Sequence, residues 1–467
     1  MEKEIKKKVA SDPWRLDYHL MPKTGWLNDP NGAVQKDGVY HIYHQYVPDD
    51  PNGGKTHWAH KSSEDMVHFN EEVIFMSPDY PFDKDGVYSG SAIVKDEQIH
   101  FFYTGNVKEL DGEYIYYGRQ QNVVHVVSDD GFNILKREVI IHHEDYPDGF
   151  TDHIRDPKVF EKNGQYYMIL GARKESHRGA MLTYRSADLE SWEYIGNFIE
   201  GTEEEGFMFE CPDFFETEEK DILILSPQGI QTKEYEYQGP YQATYLLGEV
   251  DWEEVEFKAE TELIELDRGF DFYAPQSFRD EEGNQILWAW MGIADSSPAF
   301  INPTVKNGWQ HALALPRILT IEDGKLKQRA HPAYKNIRKD LEKGKVELKE
   351  EAFTPLSGEI YELEIDFLKK IDDFLVELRQ DTKIQYKDGL LTLNHGYSGY
   401  GRRKRSILLE ELKELRIFSD SSSIEVFIND GDYVMTTRVY PEVGADRIEL
   451  TGQGKISYKK WSLELKR

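Results

Sequence analysis

The chain has 467 residues, a formal net charge of −30 at pH 7 and a single cysteine, Cys211. Its length predicts two or three domains, and its acidity argues against nucleic acid or an anionic membrane surface as a partner. One cysteine excludes an intrachain disulfide and a cysteine-based zinc site, which fits a reducing compartment.

The N-terminal segment MEKEIKKKVASDPW is charged and lacks the apolar stretch of a signal peptide. The most apolar run of the chain, ILWAWMGIA, is far too short to span a bilayer. We therefore expect a cytoplasmic protein with no membrane partner and no nucleic-acid partner.

Five segments of similar pattern follow one another at intervals of roughly sixty residues. They begin at Asn28, Ser89, Arg155, Glu210 and Tyr273. Each contains a short apolar strand, a polar turn such as Asp37-Gly38, and a second apolar strand. Hairpins that recur at a fixed period are typical of a β-propeller, so the repeat predicts five blades. A large β-sandwich is the alternative.

Carboxylates recur at nearly the same phase of three of these units, at Asp29, Asp156 and Glu210. The segment WLNDPNG around Asp29 has the composition of an ordinary turn. However, the first strand of each propeller blade lines the central channel, so three carboxylates at one phase are expected to face one cavity. This pattern favours a functional site over a turn.

The pattern changes beyond Tyr334. The segment AYKNIRKDLEKG predicts a short charged helix that ends at Gly344. Short alternating segments follow, which predict a β-sandwich. We expect a propeller over residues 1–334, a linker with a short helix over 335–350, and a sandwich over 351–467. The sandwich is expected to pack on the propeller; the alternative is a carbohydrate-binding module.

Two carboxylates that flank a glycosidic bond suffice to hydrolyse it, one protonated as the acid and one ionised as the nucleophile. Glu210 lies in the apolar stretch FMFECPDFF, which favours its protonated form and an acid/base role. Asp29 lies among polar neighbours that favour an ionised nucleophile. Asp156 follows Arg155 and is expected to stay ionised and bind sugar hydroxyls.

A sugar site also needs flat apolar surfaces. The aromatic candidates are Trp26, Trp58, Tyr273, Trp290 and Trp309. Trp26 and Tyr273 are favoured because they lie beside the starts of predicted inner strands. We expect no metal and no cofactor, since the histidine pairs of the chain offer too few convergent ligands for zinc.

The motifs WLNDPNG, SGSA at Ser89, RDP at Arg155 and EC at Glu210 resemble those of glycoside hydrolase family 32, which includes invertases, fructanases and sucrose-6-phosphate hydrolases. The resemblance extends over essentially the whole chain. It implies a five-bladed propeller followed by a β-sandwich, with Asp29 as nucleophile, Glu210 as acid/base and Asp156 as transition-state stabiliser. The fructose subsite that it implies consists of Asn28, Gln45, Trp58, Ser89 and Arg155.

These observations predict an all-β retaining glycoside hydrolase that cleaves the β-fructofuranosyl bond of sucrose, sucrose 6-phosphate or short β-fructo-oligosaccharides. The alternatives are another five-bladed glycosidase, of the arabinanase kind, and a non-catalytic sugar-binding propeller. A phosphorylated substrate would need a local basic patch, for which Lys55, His57, His60 and Lys61 are candidates. The sequence does not predict the oligomeric state.

Overall fold

Strands form most of the part of the chain that the structure describes. The computed structural model covers residues 2–294, 299–349 and 351–465. It begins with a helix, α1, at Glu2–Ala10. Within these ranges, we find no helix with the length and apolar character that crossing a membrane requires. The all-β fold class predicted from the sequence is confirmed.

The described residues between 25 and 330 form five sheets of mainly antiparallel strands, here called blades 1 to 5. Blade 1 contains β1 (Gly25–Lys36), β2 (Val39–Val47), β3 (His57–Ser63) and β4 (Val73–Met76). Blade 2 contains β5 (Val87–Lys95), β6 (Gln98–Lys108), β7 (Arg119–Ser128) and β8 (Lys136–Ile141). Blade 3 contains β9 (Phe150–Lys162), β10 (Gln165–Lys174), β11 (Gly179–Ser186) and β12 (Glu193–Glu200).

The last two blades follow the same plan with small additions. Blade 4 contains β13 (Met208–Glu216), β14 (Asp221–Gln228), β15 (Thr244–Asp251), β16 (Glu256–Ala259) and the short β17 (Ile264–Glu265). Blade 5 contains β18 (Tyr273–Arg279), β19 (Gln285–Trp290), β21 (Arg317–Glu322) and β22 (Lys325–Ala330). Between β19 and β21 the chain forms β20 (Trp309–Gln310), which pairs in parallel with β1 and so ties blade 5 to blade 1.

Each blade starts with a hairpin that the sequence predicted. The first two strands of every blade pair antiparallel. In blades 1 to 3 both turn residues have positive φ, as the tight turns favoured in hairpins require. These residues are Asp37-Gly38, Asp96-Glu97 and Asn163-Gly164.

The first strands of the blades are the inner strands of the propeller. β1 contacts β5, β5 contacts β9, β9 contacts β13, β13 contacts β18, and β18 contacts β1. Apolar side chains fill the space between adjacent blades; Phe102 and Val123 of blade 2, for example, cluster with Met168 and Leu170 of blade 3. The architecture therefore brings the starts of five inner strands to one place.

The described residues between 338 and 463 form two six-stranded sheets. The first has the order β23 (Arg338–Leu348), β34 (Gly454–Leu463), β25 (Tyr361–Phe367), β30 (Glu414–Asp420), β31 (Ser423–Ile428) and β32 (Tyr433–Arg438). The second has the order β24 (Phe353–Ser357), β33 (Arg447–Gly452), β26 (Asp373–Leu378), β27 (Thr382–Lys387), β28 (Leu390–His395) and β29 (Lys404–Leu408). Buried residues of both sheets form one core, as in a sandwich.

The prediction of a short charged helix after Tyr334 is wrong. A 3-10 helix covers Pro332–Ile337, and β23 then pairs antiparallel with β34 from Arg338 to Leu348, with a break in register between Lys339 and Glu342. A short isolated helix is marginal in water, whereas β34 offers a full ladder of backbone hydrogen bonds. The charged side chains suit an edge strand that faces solvent. Residue 350 lies outside the described residues, and the proposed domain boundaries stay predictions.

The sandwich packs on the propeller through buried ion pairs. Arg402 of the sandwich forms a bidentate pair with Asp271, at 2.6 Å for both contacts, and both side chains are 1% exposed. His19, which precedes blade 1, contacts Asp420 through Nδ1 at 2.7 Å and Glu425 through Nε2 at 2.9 Å. These pairs fix the sandwich against the segments that lead into the fifth and the first inner strands, respectively.

Candidate active site

One residue from each inner strand reaches the same cavity. They are Asp29 of β1, Ser89 of β5, Asp156 of β9, Glu210 of β13 and Tyr273 of β18. The cavity has a volume of about 330 Å³. Residues at the same phase of the sequence repeat thus line the same cavity, and the three predicted carboxylates lie together there.

A break in strand pairing occurs near each of these residues. The register shifts between Leu27 and Pro30 in β1, between Val87 and Gly90 in β5, between Arg155 and Lys158 in β9, between Glu210 and Asp213 in β13, and between Tyr273 and Gln276 in β18. Such bulges bend a strand and change the direction of a side chain. They explain how strands that run in the propeller core present polar groups to the cavity.

Asp29 is held by a cycle of side-chain hydrogen bonds. Ser89 Oγ donates to Oδ2 of Asp29 at 2.6 Å, and Asn28 Nδ2 donates to Oδ1 at 3.1 Å. Asn28 also donates to Gln45 at 2.6 Å, and Gln45 donates to Ser89 at 2.8 Å. Trp26 Nε1 donates to Asn28 at 2.9 Å. The cycle fixes the carboxylate in one orientation.

Burial in the cavity raises the pKa of Asp29 from its ordinary value of 3.8 to about 6. The hydrogen bonds from Ser89 and Asn28 act in the opposite direction, and the negative charge of Glu210 adds to the increase. The polar neighbours therefore favour the ionised form as predicted, but burial outweighs them. Asp29 is ionised above about pH 6 and protonated below it.

The environment of Glu210 differs from the apolar surround that the sequence predicted. Arg155 Nη2 donates to Oε1 of Glu210 at 2.6 Å. Gln228 Nε2 and the Tyr273 hydroxyl both donate to Oε2 at 2.6 Å. The apolar expectation is wrong because side chains alternate along a strand: Phe209 packs into the blade core while Glu210 faces the cavity. Glu210 is thus surrounded by donors.

Asp156 is the most deeply buried of the three carboxylates, with 3% of its surface exposed. The backbone N–H of Cys211 donates to its Oδ2 at 3.0 Å. Burial raises the pKa of Asp156 to about 7, and the positive charge of Arg155 offsets only part of this effect. The prediction that Arg155 keeps Asp156 ionised therefore underestimated burial.

Cys211 lies between the carboxylates as a buried, protonated thiol. Its Sγ is 3.7 Å from Oδ2 of Asp156 and 3.9 Å from Oδ2 of Asp29. Burial raises the pKa of the Cys211 thiol well above its usual range, and the charges of Asp156 and Asp29 raise it further. These surroundings oppose formation of a nucleophilic thiolate.

The cavity contains three of the predicted aromatic residues, Trp26, Tyr273 and Trp290. The ring centroids of Trp26 and Trp290 are 5.8 Å apart. Trp58 does not line the cavity: it is completely buried in the core of blades 1 and 2, and its Nε1 donates to the carbonyl of Tyr88 at 2.9 Å. Trp58 therefore supports the backbone beside the site, and its predicted role in substrate contact is wrong.

The other predicted subsite residues, Asn28, Gln45, Ser89 and Arg155, line the cavity. The sequence reasoning missed Tyr88, Arg119 and Gln228, which line it as well. Gln228 ends β14, on the strand that pairs with β13, so the register of the predicted hairpin contained a signal for it. Arg119 starts a third strand, for which the repeat offered no signal.

The structure does not bring the predicted basic patch to the cavity. The side chain of Lys55 is 64% exposed and lies 3.6 Å from Asp85. His57 contacts Ser77, His60 stacks in the core of blade 1, and Lys61 lines a separate cleft. In the described parts of the chain, no group of three or more His, Cys, Asp or Glu side chains is arranged to hold a metal ion.

Two family models match the chain. The Glycosyl hydrolases family 32 N-terminal domain matches residues 19–330, and Glycosyl hydrolases family 32 C terminal matches residues 326–465. The sucrose-6-phosphate hydrolase of Bacillus subtilis (strain 168) is 35% identical over 474 residues, with 99% of this chain and 97% of the relative covered. The raffinose invertase of Escherichia coli is 32% identical over 451 residues, with 94% and 92% covered.

Solved structures show the same relationship. The sucrose-6-phosphate hydrolase from Lactobacillus gasseri superposes on this chain with a TM-score of 0.89 at 30% identity. The superposition covers 99% of this chain and 96% of the L. gasseri chain. A Bombyx mori β-fructofuranosidase superposes with a TM-score of 0.86 at 27% identity, with 99% and 97% covered. The similarity extends through propeller and sandwich alike, and the chain belongs to glycoside hydrolase family 32.

Proposed function

We propose that this enzyme hydrolyses the β-fructofuranosyl bond of sucrose, sucrose 6-phosphate or a short β-fructo-oligosaccharide with retention of configuration. The observation that carries the proposal is the meeting of Asp29, Asp156 and Glu210, from three blades, in one cavity. Relatives that match nearly the whole chain are named sucrose-6-phosphate hydrolases. The family membership argues against the arabinanase-like alternative.

In the first step, an oxygen of Asp29 attacks the anomeric carbon of the fructosyl unit. The bond from this carbon to the bridging oxygen breaks, and Glu210 transfers a proton to that oxygen as the second sugar leaves. The products are a covalent fructosyl–Asp29 ester and an ionised Glu210. Ser89 and Asn28 donate hydrogen bonds to the Asp29 carboxylate and orient it for this attack.

In the second step, water attacks the same carbon and the ester bond to Asp29 breaks. Glu210 takes a proton from the water, so it ends the cycle protonated and ready for the next substrate. The donors Arg155, Gln228 and Tyr273 stabilise the carboxylate form that Glu210 adopts between the steps. Two displacements at one carbon restore the original configuration.

Asp156 is suited to bind fructosyl hydroxyls beside the reacting carbon. Its Oδ2 already accepts from the Cys211 N–H, which orients the carboxyl group within the cavity. A hydroxyl that replaces the water lost on burial would satisfy the remaining acceptor capacity of Asp156. Hydrogen bonds of this kind strengthen as positive charge develops on the sugar ring.

The test is turnover of sucrose by the purified chain in buffer that contains methanol. Retention predicts methyl β-fructofuranoside as the transfer product, because methanol can replace water in the second step. Formation of the α-anomer would contradict retention. Failure to cleave sucrose, sucrose 6-phosphate and short fructo-oligosaccharides would overturn the proposed function and favour the sugar-binding alternative.

We also propose that sucrose 6-phosphate is the preferred substrate. The names of the relatives support this preference. The ratio of kcat/KM for sucrose 6-phosphate to that for sucrose measures it directly, and a ratio near one would contradict it. The cytoplasmic location predicted from the sequence stays a prediction.

A further inference from the structure

A cationic group at the rim of the cavity has no role in the steps above. Arg119 lines the cavity together with the three carboxylates. It starts β7, the third strand of blade 2, whereas the floor of the cavity comes from first strands. Arg119 therefore reaches the cavity from a different strand than the inner strands that carry the three carboxylates.

Arg119 differs from Arg155 in its contacts with carboxylates. Arg155 pairs with Glu210 at 2.6 Å. Nε of Arg119 is buried and has no hydrogen-bond partner among the described residues. Asp152 lies close by, but its Oδ2 accepts from the backbone N–H groups of Gly118, at 2.6 Å, and of Arg119, at 3.2 Å. No ion pair joins the Arg119 side chain to a carboxylate among the described residues, so its charge is left for an anionic group that enters the cavity.

A second arginine, Arg173, lies on the neighbouring blade. The segment that precedes β7 connects the two: the Arg119 guanidinium carbon is 5.8 Å from the ring centroid of Tyr114, and that of Arg173 is 4.3 Å from the ring centroid of Tyr116. Nη1 of Arg173 donates to the carbonyl of Ile115 at 3.1 Å, while its Nε has no partner among the described residues.

The positive charges of these arginines affect the pKa of a nearby histidine, His153. Burial lowers the pKa of His153 to about 3, and the positive charges of Arg155, Arg119 and Arg173 lower it further. His153 is therefore neutral and adds no charge of its own. Arg155, Arg119 and Arg173 thus place three positive charges near one histidine in a chain with a net charge of −30, and such a local group can bind an anion.

We propose that Arg119, supported by Arg173, binds the phosphate of a substrate whose leaving sugar is phosphorylated. The inference rests on the proposed function and assigns its preference for sucrose 6-phosphate to specific side chains. A guanidinium recognises phosphate through two parallel hydrogen bonds, which Lys cannot reproduce. The repulsion from the acidic surface is screened beyond about 10 Å at ordinary salt, so the local contact decides the preference.

The experiment compares kcat/KM for three sugars: sucrose, sucrose 6-phosphate with the phosphate on the glucosyl unit, and the isomer phosphorylated on the fructosyl unit. We expect wild type to prefer the glucosyl phosphate over sucrose by about tenfold or more. In Arg119→Gln this ratio should fall at least about tenfold, with an intermediate value in Arg119→Lys. Arg173→Gln should lower the ratio less.

The matched control is Arg185→Gln on β11. Arg185 is a surface arginine whose Nη2 lies 3.0 Å from Glu193, outside the cavity lining. This variant should keep the wild-type ratio. Inhibition by the products provides a second measurement: glucose 6-phosphate should inhibit wild type more strongly than glucose does, and Arg119→Gln should remove the difference. This readout also serves if Arg119→Gln folds poorly, because Arg119→Lys can be measured in the same way.

Failure of the inference is distinguishable from failure of the proposed function. If wild type cleaves sucrose but has no preference for the glucosyl phosphate, the inference is overturned while the hydrolase remains. The same holds if Arg119→Gln and Arg173→Gln both keep a strong preference, or if the fructosyl phosphate is preferred. If none of the sugars is cleaved, the proposed function itself fails.

Discussion

At the scale of single residues, the orientation of Asp29 depends on hydrogen bonds more than on packing. We expect Asp29→Asn to fold normally and to lose at least about 10³-fold in kcat on sucrose, because an amide cannot form the covalent intermediate. The measurement is steady-state turnover together with a circular dichroism spectrum. A folded Asp29→Asn variant with a tenth of wild-type activity would exclude Asp29 as the nucleophile.

The same substitution has a pH-dependent effect on stability. Since the pKa of Asp29 is raised from 3.8 to about 6 in the folded protein, the native state binds the proton more tightly than the unfolded state. The favourable contribution is complete below pH 3.8 and is lost as pH rises through 6. Asp29→Asn should therefore gain about 1–3 kcal/mol of unfolding free energy at pH 8 and little at pH 4. Equal differences at both pH values would contradict this account.

The acid/base role of Glu210 predicts a dependence on the leaving group. In Glu210→Gln the proton donor is lost, so cleavage of sucrose should slow by about 10²–10⁴-fold. A fructoside with a nitrophenyl leaving group needs less protonation and should lose much less. Single-turnover rates on both substrates test this, because they report fructosyl transfer alone. Equal losses would indicate that Glu210 acts in another way.

The predicted carboxylates that the structure brings together are those that share a phase of the repeat. Asp29, Asp156 and Glu210 could be found because one sequence offset maps onto one end of the inner strands. Trp58 was assigned incorrectly, because a conspicuous residue in a motif does not reveal which face of the strand it occupies. Arg119 was missed because its position depends on how a third strand meets the cavity, which no local pattern encodes.

At the scale of elements, the starts of the inner strands in blades 3 to 5 share a backbone conformation. Asp156 has φ of 62°, and Cys211 and Ala274 both have φ of 48°. These values lie in the left-handed region, which few side chains adopt without strain. The bulges that accompany them direct Asp156, Glu210 and Tyr273 toward the cavity. Local strain is therefore part of how the site is built.

This conformation predicts the effect of side-chain shape at Cys211. A β-branched side chain at φ of 48° costs about 1–3 kcal/mol, and relaxing it would move the N–H that Asp156 accepts. We expect Cys211→Val to lose more than about tenfold in kcat/KM and to unfold at a lower temperature. Cys211→Ala is the control, since Ala274 adopts the same φ one blade later. Equal activity of the two variants would argue against backbone strain at Cys211.

The elements differ in how far the sequence predicts them. Hairpins with turns such as Asp37-Gly38 follow from local chemistry alone, because few residues tolerate positive φ. β23 could not be predicted from its own charged sequence, since its conformation depends on pairing with β34 more than a hundred residues later. Long-range pairing overrides local helix propensity in this segment.

At the scale of the whole molecule, buried charge connects the two parts of the chain. Arg402 with Asp271, and His19 with Asp420 and Glu425, join the sandwich to the segments that precede blade 5 and blade 1. Buried pairs of this kind contribute little net stability compared with apolar packing, but the loss of one partner is costly. They therefore specify how the sandwich sits on the propeller more than how strongly it adheres.

His19 allows this arrangement to be tested through pH. Burial opposes its protonation, but the hydrogen bonds with Asp420 and Glu425 outweigh burial and raise the pKa of His19 to about 9. Only the protonated ring donates from both nitrogens, so it alone satisfies both carboxylates. Because the folded pKa exceeds the ordinary value of 6.5, the stabilisation is complete below pH 6.5 and is lost as pH rises through 9.

We therefore expect His19→Gln to lose about 3–5 kcal/mol of unfolding free energy at pH 6, because two buried carboxylates lose their shared cation. The deficit should shrink as the pH approaches 10, where wild-type His19 is itself neutral. Denaturant unfolding at pH 6 and pH 10 measures both values. His68→Gln is the control, since His68 contacts Asp65 at 2.7 Å on the exposed surface and should matter little. A deficit of the same size at both pH values would show that His19 acts through shape alone, and the charge-based account of the domain interface would then fail.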